Sequence, residues 1–318
     1  MQGVMLDAGS LGTADLDLGP LHTCLESLEC YDNTAPLDVV ERLKGKDIAL
    51  VNKVLLDEAV FAQLPNLKHI IVLATGVNNI DLESARNHGI SVQNCRAYGV
   101  DSVAQHCLML MLTLSTKMLE YRTAVFNGAW SESDHFCLLD FPVESLSGKT
   151  LGIVGYGDLG KGVARLAKAF GMSVMVAKRD GQTSDSIKRV GLEELLPQVD
   201  ILSLHCPLNE QTKNLIGFPQ LCQMKNSALL INCARGGVVN EADLVKALDE
   251  KQISGAGVDV LVQEPPPINN PLLVTKRDNL IVTPHTAWAS RQARQTIVLQ
   301  ASENIISLKS GHKNLRQI

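Results

Sequence analysis

The chain has 318 residues, with 29 Lys and Arg against 34 Asp and Glu, for a formal net charge of −5. That length exceeds one ordinary core and makes two domains the expectation, and the lack of any basic run beyond the pair Lys178-Arg179 speaks against nucleic-acid or anionic-membrane partners. Hydrophobic residues at 45% and charged residues at 20% fit a folded globular protein, while aromatics at 4% disfavour a base-stacking surface. The amino-terminal segment MQGVMLDAGSLGTADLDL has no basic region followed by an apolar stretch, and no apolar run is long enough to span a bilayer, so a cytoplasmic protein is expected. The 8 cysteines form no C-x-x-C and no Cys/His spacing suited to zinc, which predicts reduced, mostly buried thiols and no metal.

Residues 1–99 alternate short apolar strands, expected at 4–6, 48–51, 69–73 and 90–93, with helices or turns, the pattern of a small parallel α/β sheet. A helix follows Asp57, and Asp81 caps another that ends at Gly89. Apolar residues at Ala104, Leu108, Met111 and Leu112 recur at helical spacing and predict one long buried helix from 101 to about 127. Between 128 and 147 the pattern weakens; Trp130, Phe136 and Phe141, interrupted by Pro142, are expected on an exposed excursion that serves a subunit interface. Strands expected at 149–154, 173–177, 200–204, 228–232, 255–260 and 279–282 alternate with helices and predict a doubly wound sheet. Asn240 caps a helix over 241–250, the run Pro265-Pro266-Pro267 forbids helix after Glu264, and a final helix is expected over 287–308.

Gly155-Tyr-Gly-Asp-Leu-Gly160 is a weak pattern by itself, but here an apolar strand precedes it and a helix follows. In that setting Gly155 supplies the tight turn, Gly157 lets the backbone approach a pyrophosphate, Asp158 and Leu159 open the helix, and Gly160 packs helix on strand. Where a ribose-binding acid would stand, about 20 residues on, the chain has Lys178 and Arg179, two cations suited to a 2′-phosphate. NADP(H) is therefore preferred to NAD(H), the alternative being that Asp180 takes the ribose.

Three later motifs, CARGG, VQEPPP and TPHTAW, place Arg235, Glu264 and His285 downstream of that loop. A guanidinium fork holds a carboxylate, an imidazole titrating near neutrality moves a proton, and a carboxylate fixes the imidazole tautomer and favours its charged form. Together with a dinucleotide loop these residues equip a hydride-transfer site.

These motifs, in this order after GYGDLG, resemble the D-isomer-specific 2-hydroxyacid dehydrogenases over nearly the whole chain. The segments LATGVNNID (73–81), NCRAYG (94–99), DSVAQH (101–106) and HTAWAS (285–290) most resemble the glycerate dehydrogenase, or hydroxypyruvate reductase, branch. The resemblance implies a Rossmann domain over 100–287 and a discontinuous, flavodoxin-like substrate domain from 1–99 and 288–318, with a hinge at the two crossings. It also implies a homodimer with contacts in 101–147. His205, Cys206, Pro207 and Thr212 match a segment beside the nicotinamide ribose, although His205 reads equally as a satisfied loop histidine. Asp259 matches the aspartate that bonds the nicotinamide carboxamide, and Cys233 and Ala234 line the cofactor cleft. Thr75, Gly76 and Val77 match a loop whose N–H groups bind the substrate carboxylate; Lys53 and Trp288 are further pocket candidates, Lys53 reading equally as a solvated strand-end lysine. The activity implied is reversible reduction of a small 2-keto acid, hydroxypyruvate or glyoxylate. D-3-phosphoglycerate dehydrogenase and a non-catalytic, nucleotide-sensing corepressor-like scaffold are the alternatives.

Overall fold

Runs of branched aliphatic residues form parallel strands in two separate sheets, because strands covered by helices on both faces must be apolar throughout. The computed structural model describes residues 1–178, 187–274, 276–311 and 318. The chain divides into a unit of Met1–Gly99 with Ala289–Ile318 and a unit of Val100–Trp288.

In the first unit, β1 (Gln2–Met5), β2 (Ser27–Cys30), β3 (Ile48–Val51), β4 (His69–Val72) and β5 (Ser91–Asn94) pair in the order β2-β1-β3-β4-β5, all parallel. This is the doubly wound order of flavodoxin-like sheets. β3, at the centre, is buried along its whole length. One face packs Val4, Leu6, Val51, Ile70 and Val72 with Phe61 in a single apolar cluster. The Arg291–Ser310 helix buries Ile297, Ala301 and Ile305 completely and reaches the end of β5, where Asn304 Nδ2 donates to the Asn94 carbonyl at 3.2 Å.

In the second unit, β6 (Thr150–Val154), β7 (Ser173–Ala177), β8 (Lys188–Val190), β9 (Ile201–Leu204), β10 (Leu229–Asn232), β11 (Gly255–Val258) and β12 (Leu280–Val282) pair in the order β12-β11-β10-β9-β6-β7-β8, again all parallel. The chain leaves β6 toward β7 and β8, then returns to β9 on the other flank, so the order reverses between β6 and β9. Ligands of open α/β sheets bind in the crevice at the carboxyl ends of the strands beside such a reversal.

Three local expectations are corrected. The helix expected from 101 to about 127 is two helices, Val100–Ser115 and Met118–Phe126, because Lys117 adopts a left-handed backbone at φ 55. The edge strands β2 and β8 lie outside the sequence expectation: SLEC of β2 is largely exposed, KRV of β8 is three residues long and buries only Val190, and neither carries apolar alternation. The last helix begins at Arg291, capped by Ser290, because the Thr286 and Ala287 N–H groups bond to Asp259 instead of entering a helical turn. Among the described residues no helix is long and apolar enough to cross a membrane.

Candidate active site

The carboxyl ends of β6, β9, β10, β11 and β12 carry the loops that hold most of the singled-out residues. At the end of β6, Gly155 has φ +92, and a Cβ there would lie 2.5 Å from the His205 carbonyl carbon, so only glycine fits between the two loops. A Cβ on Gly160 would meet the Gly155 oxygen at 2.2 Å, whereas one on Gly157 would meet nothing within 4 Å. Gly157 precedes the Asp158–Ala169 helix without a side-chain cap, so the first-turn N–H groups present partial positive charge beside open space. That cradle suits a phosphate of a dinucleotide.

His205 continues the β9 ladder, its N–H donating to Val154 O at 2.7 Å, and its Nε2 pairs with Ser203 Oγ at 2.8 Å. Its Nδ1 is shut off from solvent and has no partner among the described residues, although the residue as a whole is partly exposed. An orphaned buried ring nitrogen costs on the order of 1–3 kcal/mol, which a ligand bonding to it would relieve. Burial pushes the imidazole down to about 4. An unfolded histidine titrates near 6.5, so as pH falls from about 6.5 toward 4 the unfolded chain takes up a proton that native His205 refuses, and stability drops. At about pH 5 this loss amounts to roughly 2 kcal/mol relative to neutral pH. Urea denaturation at neutral pH and at about pH 5 is expected to show His205→Gln losing less stability than the parent by about that amount; equal losses would contradict it.

Cys206 is buried, and Thr212 braces the same loop, its hydroxyl donating to Pro207 O at 2.6 Å. Cys233 is also buried; the neighbouring Cys107 thiol, then burial, push its own thiol well up, so it lines the site as a small apolar group. Lys178 is exposed, its N–H joined to Val190 O at 2.7 Å, and Arg179 lies outside the described residues. Arg189 of β8, which sequence reading passed over, places its guanidinium 5.4 Å from the centre of the Tyr156 ring in the glycine loop.

At the end of β10, Arg235 is exposed and spends one N–H, from Nη1, on Ala234 O at 2.7 Å. The following Gly236 runs against the next loop so closely that a Cβ would sit 1.9 Å from Leu261 O. This contact ties the Arg235 turn to the Glu264 loop. Glu264 Oε1 accepts the Leu261 N–H at 2.9 Å, and Oε2 meets His285 Nδ1 at 2.6 Å. The carboxylate is thus aimed by its own loop at the imidazole. His285 has a left-handed backbone, φ 54, and its N–H donates to Asp259 O at 2.9 Å. Asp259 is 1% exposed and turns its carboxylate toward the same turn: Oδ1 accepts from Thr286 N at 2.9 Å and Thr283 Oγ1 at 2.5 Å, and Oδ2 from Ala287 N at 2.9 Å. Trp288 is partly buried against the apolar cluster that includes Ala287 and Cys233.

In the first unit, a second set of loops follows β1, β3, β4 and β5. Among the described residues, the N–H groups of Thr75, Gly76 and Val77 donate to no acceptor, leaving three adjacent donors after β4. Asn94 holds this loop, its Nδ2 donating to Thr75 O at 2.7 Å, and its Oδ1 accepts from Arg96 Nε at 3.0 Å. Asp7, 5% exposed, accepts the N–H groups of Asn52 at 2.8 Å and Lys53 at 2.6 Å, fixing the turn that bears Lys53. Neither Asp7 nor Asn94 stood out in sequence, since each acts through a loop distant along the chain.

Known proteins point the same way. The family model described as the NAD binding domain of D-isomer specific 2-hydroxyacid dehydrogenases matches residues 108–287. A glycerate dehydrogenase of Methylorubrum extorquens is 43% identical over 97% of this chain and 96% of its own length. A hydroxypyruvate reductase of Blautia hydrogenotrophica is 35% identical over 98% of each chain. Among solved structures, an acyclic imino acid reductase in complex with NADPH and D-Arg superimposes with a TM-score of 0.86 at 27% identity, covering 100% of both chains.

Proposed function

Because the chain belongs to the D-isomer specific 2-hydroxyacid dehydrogenase family, nicotinamide-dependent oxidoreductases acting on CH–OH groups, we propose that it reduces hydroxypyruvate to D-glycerate or glyoxylate to glycolate. The observation that carries the mechanism is the 2.6 Å contact between Glu264 Oε2 and His285 Nδ1. With Nδ1–H donated to the carboxylate, Nε2 is the ring atom left to give a proton to the keto oxygen. Glu264 offsets the positive charge of the protonated imidazole before transfer and holds the ring in one orientation. Arg235 retains donors beyond the one bound to Ala234, enough for a fork on the substrate carboxylate. The N–H groups of Thr75, Gly76 and Val77, which donate to no acceptor among the described residues, and the Lys53 side chain are assigned to substrate binding by the family resemblance, as is Trp288. The bound reduced nicotinamide supplies the hydride. Gly155, Gly157, Asp158, Leu159 and Gly160 would hold its phosphates, and His205 Nδ1 would be available to its ribose side.

NADP(H) is the preferred cofactor in this reading. Lys178 at the end of β7 is joined by Arg189, whose guanidinium over Tyr156 adds a second described cation beside the glycine loop. The relative solved with NADPH is compatible with that preference. A homodimer belongs to the same reading: the Met118–Phe126 helix buries none of its residues, and Phe126, Phe136 and Leu139 are 76%, 91% and 85% exposed, an apolar surface that a second copy would cover. Sedimentation equilibrium should give the mass of a dimer; a single-chain mass at micromolar concentration would remove that part. The function itself is tested by following cofactor oxidation with a panel of 2-keto acids against NADPH and NADH. Turnover of hydroxypyruvate or glyoxylate, faster with NADPH, is expected. Higher catalytic efficiency with NADH would overturn the cofactor preference alone, and inactivity across the panel would favour a nucleotide-sensing scaffold.

A further inference from the structure

His106 has no part in the chemistry above, yet its ring ends one step from the catalytic turn. It lies on the Val100–Ser115 helix, and its Nε2 stands 3.0 Å from Thr283 Oγ1 and, farther off, 3.5 Å from Asp259 Oδ1. Thr283 Oγ1 donates onward to Asp259 Oδ1 at 2.5 Å. A hydroxyl has one proton to give. With that proton committed to Asp259, Thr283 accepts from His106, so Nε2 carries hydrogen. Burial pushes the His106 imidazole down, against the opposing pull of Asp259, which is consistent with a neutral ring acting as a single donor.

We propose that His106 is a positioning residue that fixes the Thr283 hydroxyl and, through Asp259, the turn that presents His285. The proposal rests on the assignment of His285 as proton donor. A left-handed backbone is disfavoured at a non-glycine residue such as His285, φ 54, so the turn keeps this conformation only if its surroundings hold it. Asp259 is the residue with most bonds to that turn: it takes the N–H groups of His285, Thr286 and Ala287 and the Thr283 hydroxyl, while the His285 N–H also reaches Thr283 O at 3.0 Å and Ser102 Oγ donates to Ala287 O at 2.7 Å. The hydroxyl contributes to this set only while its proton points at Asp259. By accepting from His106, the hydroxyl is left with one direction for that proton. Without His106 it can rotate, and the turn loosens where the imidazole must be placed to within a fraction of an ångström.

The test is a double-mutant cycle on the intact enzyme with His106→Leu, which removes the donor, His106→Gln, which restores an N–H of similar reach, and Thr283→Val, which removes the relay. His106→Leu is expected to lower kcat about 5- to 10-fold with the keto-acid KM within about 2-fold, and His106→Gln to recover most of that loss. In the Thr283→Val background, His106→Leu should cost well under half of what it costs in the parent, the remainder being its direct 3.5 Å approach to Asp259 Oδ1. Additive losses, or no recovery with glutamine, would overturn the relay. The ring resonances of His285, followed by NMR at one pH in the same proteins, give an answer independent of turnover: they should shift alike in His106→Leu and Thr283→Val and return in His106→Gln. Unmoved resonances would also overturn the relay. A parent enzyme inactive on every keto acid would instead sink only the functional assignment, leaving the NMR comparison to decide the relay.

Discussion

Replacing His285 with asparagine is expected to lower kcat by about 10²- to 10⁴-fold while leaving cofactor affinity within a few-fold. Asparagine keeps a polar side chain of similar reach toward Glu264 but cannot deliver a proton near neutral pH. The loss should therefore fall on the chemical step rather than on binding. Thermal unfolding should change little, because the ring is about a third exposed, at 31%, and the turn is held mainly through main-chain groups and Asp259. A variant retaining more than about a tenth of parental kcat would show that the proton comes from elsewhere.

The second large effect is expected at Arg235. Substitution by lysine keeps the charge but loses the planar fork, so the paired bonds to a carboxylate become a single point contact. Charge-assisted bonds contribute about 1.5–3 kcal/mol each, which places the fall in kcat/KM for the keto acid at about 10- to 100-fold. Most of it should appear in KM if the guanidinium binds the carboxylate alone, and in kcat as well if it also polarises the carbonyl. The Gly236 contact with Leu261 lies in the backbone, so the variant should keep the loop in place and report on the side chain. Unchanged KM and kcat would remove Arg235 from the site.

Much of this architecture could be read from the chain because its signals are local. β3, β9, β10 and β11 are short apolar runs buried from end to end, and the glycine loop sits between a strand and a helix that both declare themselves. Arg235, Glu264 and His285 stood out because each carries chemistry that a surface loop seldom needs. Other parts were hidden for physical reasons. β2 and β8 are edge strands with little to bury, so their sequences resemble loops. The break at Lys117 is a matter of one backbone dihedral, invisible while apolar spacing continues on both sides. Asp7, Asn94, His106 and Thr283 act through partners 45, 19 and, for the last two, 177 residues away, and a hydrogen bond across such a separation leaves no pattern in either segment. Arg189 belongs to this group, since only the pairing of β7 with β8 brings it to the glycine loop.

The most direct test of the central claim is the stoichiometry and stereochemistry of hydroxypyruvate reduction by the purified protein. One NADPH oxidised per molecule of D-glycerate formed, abolished in His285→Asn, is the result these structural assignments predict. Formation of the L-isomer, or a rate unaffected by the loss of His285, would contradict them.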